Sequence, residues 1–130
     1  MKTPCEIVVW YVLPTIRREI AKELVDVHHM KQADVGRIFG VTDAAISQYL
    51  NKKRGGSTMI EDSDEYPGFL DEIRKSARLI AEKKSDMSVE MCRLCNYIKN
   101  VGLLAKIYSE ITKVEAPRCA WGDGDICEIH

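Results

Sequence analysis

Residues 32–50, QADVGRIFGVTDAAISQYL, leave little conformational choice. Val35 and Phe39 are four apart and give the first half of the stretch one apolar helical face. Gly36 faces a second helix, where only a small side chain lets two helices cross closely. Gly40 ends the first helix with the positive φ that glycine allows. Val41 then plugs the turn into the core, Thr42 caps the second helix, and Ile46 with Leu50 buries its inner face. Asp43, Ala44, Ala45, Ser47 and Gln48 are left on the outward, N-terminal surface of that helix. The spacing predicts two short helices, Gln32–Phe39 and Thr42–Leu50, joined by a tight turn.

Helical periodicity runs through the rest of the chain. Thr3-Pro4 reads as a helix start, a hydroxyl cap followed by proline at the first helical position. Cys5–Leu13 is apolar on most sides and is expected inside the core or against a partner, with Trp10 and Tyr11 as core or dimer-interface residues and Cys5 structural. Pro14 is expected to kink or end this helix. Thr15 then caps a second one, Ile16–His28, with Ile16, Ile20, Leu24 and Val27 as its buried stripe and Arg17, Arg18, Glu19, Lys22, Glu23 and Asp26 on the opposite face. His28-His29 falls beside that helix's terminal carbonyls. Further helices are expected over Phe69–Lys84, from Ser88 to about Asn100, and over Leu103–Val114; Pro117 bars continuation, and Arg118–His130 reads as irregular. No segment reads as a clear strand, so the expected fold class is all-α. The chain is expected to divide into 1–56, which holds the two short helices, a carboxylate-rich linker, 57–68, and a helical part, 69–130, suited to dimerisation or sensing.

A chain of 130 residues, 45% hydrophobic and 30% charged, suits one domain or two very small ones. Its net charge of −1 is the sum of +3 over residues 1–56 and −4 over residues 57–130, so only the first part is suited to a polyanion. The longest apolar run, Ile7–Leu13, falls far short of the ~20 residues of a membrane span. It also lacks a cleavage-site pattern, so a cytoplasmic location is expected. A Gly-rich phosphate loop, a Ser/His/Asp constellation and HExxH are all missing from the sequence, which argues against an enzyme acting on a small-molecule substrate.

The stretch 32–50 resembles the helix-turn-helix of the XRE (phage repressor/Cro-like) regulators, departing from it at Gly36, where alanine is commoner. The whole chain is similar to an archaeal group of small predicted regulators. They share a start of the type TPCEIVVWYVLP, an XRE-type helix-turn-helix and a cysteine-bearing C-terminal part. The matching stretches here are Thr3–Pro14, Gln32–Leu50 and Cys92–Cys95. The resemblance implies a transcriptional regulator that binds double-stranded operator DNA. Gln32, Thr42, Asp43, Ala44, Ala45, Ser47 and Gln48 would stand at the DNA, and Lys52, Lys53 and Arg54 on its phosphates. One such unit reads few bases, so a homodimer is expected.

The cysteines follow the pattern Cys92-x2-Cys95-x23-Cys119-x7-Cys127. Two thiolates at i and i+3 of a helix can share one metal, and a glycine-rich tail bearing two more can complete a set of four. Four thiolates suit zinc or an iron–sulfur cluster. Spacing does not choose between them; the archaeal resemblance implies an anaerobe and favours the cluster. The alternative is no cofactor, with the cysteines as packing residues or a reversible disulfide. A second functional class is a metal-stabilised protein adaptor on the same fold without DNA binding.

Overall fold

The computed structural model describes residues 3–51 and 58–113. Every regular element among them is helical: α1 (Pro4–Ile7), a π-helical segment (Val8–Val12), α2 (Leu13–Asp26), α3 (Gln32–Phe39), α4 (Asp43–Leu50), α5 (Thr58–Glu61), α6 (Tyr66–Ala81), α7 (Met87–Asn100) and α8 (Leu103–Thr112). The all-α expectation holds. No helix of the described residues is long and apolar enough to cross a membrane.

Pro14 neither ends a helix nor starts one; α1, the π segment and α2 run on as one helical stretch. Proline has no N–H for the carbonyl four residues back, and its ring would clash there. The chain widens just ahead of it, and the Leu13 N–H bonds the Val8 carbonyl five residues back. Thr15, expected as a cap, is instead buried mid-helix and donates its hydroxyl to the Tyr11 carbonyl at 2.8 Å. The wider turn brings residues five apart onto one face. Ile7, Val12, Ile16, Ile20 and Leu24 are all fully buried, at spacings of five, then four throughout. Val27, expected on this stripe, is 57% exposed, because α2 ends at Asp26 and the chain turns away.

The core joins both parts of the chain. Ile16, Ile20 and Leu24 of α2 lie in one buried cluster with Val35, Ile46, Phe69, Ile73, Leu94, Ile98, Leu103 and Leu104. Both α4 and α6 pack on α2, α3 packs on α4, α7 on α6 and α8, and the first helix meets the last. Within 57–68, read as a linker, α5 contributes the fully buried Ile60.

Two polar networks lie within this packing. Arg18 and Glu19, expected on a solvated face, are each only 4% exposed. Arg18 pairs with Glu19 at 2.7 Å and with Glu61 of α5, and the Tyr66 hydroxyl at the start of α6 donates to Glu19 at 3.1 Å. Burial, together with the Glu19 carboxylate, pushes the Tyr66 hydroxyl up to about 12. The second network joins α6 to α7 around the buried Glu90. The hydroxyls of Ser76 and Ser85 each donate to it at 2.6 Å, and Arg93 Nε at 3.0 Å. Arg93 also pairs with Glu72 and donates to the Glu72 carbonyl at 3.0 Å. Burial raises the Glu90 carboxyl, but the Ser76, Ser85 and Arg93 hydrogen bonds outweigh it and hold it below the usual carboxylate range. The Arg93 hydrogen bond likewise holds Glu72 low, against burial.

Carboxyls lowered in the folded state stabilise it above their unfolded pKa, about 4.3 for glutamate, and lose that contribution as pH falls through the folded value. Glu90→Gln should therefore cost about 2 kcal/mol at neutral pH and flatten the loss of stability on acidification. Urea midpoints measured from pH 7 downwards check this. A variant that loses stability in acid as steeply as the parent would remove Glu90 from the effect.

Candidate nucleic-acid interface

The α3–turn–α4 unit is built from local requirements that the structure meets one at a time. Gly40 is the C-cap of α3 at φ 71°, and the Val41 N–H bonds the Gly36 carbonyl at 2.9 Å, closing the turn. The Thr42 hydroxyl accepts from the Ala45 N–H at 3.1 Å and caps α4. Its own hydrogen stays available to an outside acceptor. Val35 and Ile46 are fully buried, and the Phe39 and Tyr49 rings pack at a centroid distance of 6.5 Å, tying α3 to α4.

Tyr49, to which the sequence reading gives no place, is 4% exposed, whereas Leu50 is only half-buried. The inner face of α4 is therefore centred on Ala45, Ile46 and Tyr49, with Leu50 packed against the core but only partly buried. This overturns the expectation for Ala45: it lies one turn ahead of Tyr49, is 6% exposed and cannot present itself to DNA bases. Asp43, Ala44 and Gln48 are exposed as expected, Ser47 is half-buried with the Asn51 amide 3.4 Å from its hydroxyl, and Gln32 and Thr42 are exposed. The outward side of α3 carries the exposed Arg37, paired with Asp34 one turn earlier. Lys52, Lys53 and Arg54 lie outside the described residues.

The cysteine positions fall elsewhere. Cys92 is exposed and Cys95 half-buried, one turn apart on α7, whose inner face is Leu94 and Ile98. Cys92 is thus not a core packing residue, while Cys95 is partly buried. Two thiols one turn apart fit half of a tetrahedral thiolate set. Cys119 and Cys127 lie outside the described residues, and the described residues contain no group of three or more metal-ligating side chains. Cys5, expected to be buried and structural, is exposed, as are Val9 and Trp10 of the expected core helix, at 56% and 66%.

Comparison with protein-family models, with curated proteins and with solved structures gave no match.

Gly36 shows how tightly this unit is closed. A methyl group placed there would stand 2.8 Å from the Val41 carbonyl oxygen and 3.4 Å from the Thr42 carbonyl carbon, both backbone atoms. Alanine gains about 1 kcal/mol in helix propensity, but crowding of this kind costs about 1–3 kcal/mol. Gly36→Ala should be net destabilising by about 1 kcal/mol, seen as a lower urea midpoint with an unchanged slope. A more stable variant would mean that the turn yields.

Proposed function

We propose that the chain is a sequence-specific DNA-binding transcriptional regulator that acts as a homodimer, with a helix-turn-helix formed by α3 and α4. One observation carries this reading. An eight-residue helix, capped at its start, has its inner face buried while Asp43, Ala44 and Gln48 stand exposed on its outer side. Small residues beside a long amide suit the major groove, because they let the helix approach the base edges. In this role Gln48 makes a bidentate contact to adenine, and Ser47 and the Thr42 hydroxyl contact a base or phosphate. Gln32, Lys52, Lys53 and Arg54 add phosphate contacts that carry affinity and salt dependence rather than sequence information.

Regulation belongs to α7 in this reading. Cys92 and Cys95 supply two thiolates, and Cys119 and Cys127 the other two, to an iron–sulfur cluster or a zinc ion. Such a group, when bound, supplies a redox- or metal-dependent crosslink. The described thiols respond through position: α7 packs on α6, and α6 packs on the same α2 that supports α4. A change in how α7 is held thus reaches the reading helix through three packed interfaces, α7 on α6, α6 on α2 and α2 on α4. The exposed Val9 and Trp10 favour a protein partner as well, which is a second copy here and a different protein in the adaptor reading.

The test begins with selection of a preferred duplex from random DNA. Gln48→Ala should lose about 10- to 100-fold in affinity on that duplex and much less on unselected DNA. Equal loss on both would remove Gln48 from base reading, and no salt-dependent binding to any duplex would favour the adaptor. Separately, Cys92→Ser should abolish iron or zinc content in protein purified without oxygen and shift affinity for the selected duplex. A parent protein containing neither metal would end the sensing part of the proposal.

A further inference from the structure

Residues 57–130 are net acidic, yet the structure gathers several cations of α6 into one place. A groove of about 510 Å³ between α2 and α6 is lined by Glu23, Val27, His28, Arg74, Lys75 and Arg78. Three fixed cations and one carboxylate give this lining a charge of +2 before His28 is counted. The one carboxylate is engaged, since Arg74 Nε lies 3.6 Å from Glu23. Arg74 also reaches Asp71 at 2.9 Å and Lys75 reaches Glu72 at 3.3 Å, both as one-turn pairs with the cation well exposed. Exposed pairs of that kind hold their charges weakly. Arg78 is exposed and has no carboxylate partner among the described residues.

The groove has a direction. Towards the start of α6 lies a smaller hollow of about 240 Å³, where the carboxylates Glu19, Glu23 and Asp26 outnumber the cations Lys22 and Arg74. The cationic end therefore lies at His28 and Arg78. His28 lies just past Val27, the C-cap of α2, and stands three residues before Lys31, the exposed N-cap of α3. The cations of α6 thus lie beside the link that leads into the proposed reading unit, not on a remote face.

We propose that His28, Lys75 and Arg78 form a phosphate-binding surface on which the DNA backbone rests as it leaves the helix-turn-helix. This rests on the DNA-binding reading and extends its footprint to the C-terminal part of the chain. The groove's open shape, the Arg78 unpaired among the described residues and the Lys75 held only by an exposed pair with Glu72 suit a phosphate of a continuous backbone, which needs cations and N–H donors at a rim rather than an enclosing pocket. Arg74, held between Glu23 and Asp71, serves to position the groove wall.

The experiment measures binding to an unselected 20-base-pair duplex across a salt series. Lys75→Gln with Arg78→Gln should lower the slope of log affinity against log salt by about 2, close to one unit per lost phosphate contact. Lys75→Arg with Arg78→Lys should restore it, and Lys84→Gln, an exposed lysine outside the groove lining, should leave it unchanged. Thermal unfolding of each variant checks that the fold is kept. An unchanged slope in the double variant overturns the inference and leaves the DNA-binding reading standing if the parent still binds. An equal drop with Lys84→Gln also overturns it, since overall charge would then explain the effect. A parent protein that binds no duplex overturns both.

Discussion

The buried charge on Arg18 is the interaction on which the rest of the arrangement depends. A guanidinium at 4% exposure is tolerable only where carboxylates meet it, and Glu19 and Glu61 do so from α2 itself and from α5. Glu19 in turn holds the Tyr66 hydroxyl at the first residue of α6. The side of α2 facing the second part of the chain is thus specified by polar partners at fixed positions. The apolar stripe Ile16, Ile20 and Leu24 supplies the bulk of the burial. Apolar contacts alone would allow α6 to slide along α2, but a charge that loses its partners is left uncompensated in the interior. Both α4 and α6 pack on the helix that carries this pairing.

The proposed activities share this frame. The outward side of α4 owes its form to an inner face of Ala45, Ile46 and Tyr49, all turned into the core, and to the Thr42 cap at its start. The thiols of α7 and the cations of α6 sit on helices stitched together by Glu90, Ser76, Arg93 and Glu72. A perturbation at α7 therefore meets this polar network as well as the core that Leu94 and Ile98 enter. Such a network has discrete hydrogen-bonded arrangements, and that suits a switch better than a continuously yielding apolar contact.

The α3–turn–α4 unit was legible in the sequence because each of its signals acts over a few residues. Gly40 answers to a backbone angle, Thr42 to an N–H three residues on, and Val35 and Ile46 to one helical face. Ala45 was misplaced because the inner face was centred on Ile46 and Leu50; the ring packing of Phe39 with Tyr49 rotates it, and that contact spans two helices. Arg18 and Glu19 looked like members of a solvated charged face, since the residues that bury them, Glu61 and Tyr66, lie more than forty positions away. An interior proline removes a hydrogen bond and so predicts a kink or an end at Pro14; the helix does not end there, and the five-residue step from Ile7 to Val12, before the four-residue steps of α2, is the sign that a wider turn absorbs the proline. The cysteines of α7 gave their spacing in the sequence but not their exposure, which depends on Leu94 and Ile98 taking the inner face.

The π segment at Val8–Val12 also separates two things that a uniform helix would lock together. Each residue of an α-helix turns the chain by about 100°, so a single surplus residue sets the phase between α1 and α2. Removing one residue there would leave Ile16, Ile20 and Leu24 on their partners and swing Cys5, Glu6 and Ile7 around the axis, taking Ile7 off its buried position. Length variation at this one place therefore works as a rotary adjustment. It re-aims the N-terminal face relative to the rest of the molecule while every side chain of the α3–turn–α4 unit stays as it was.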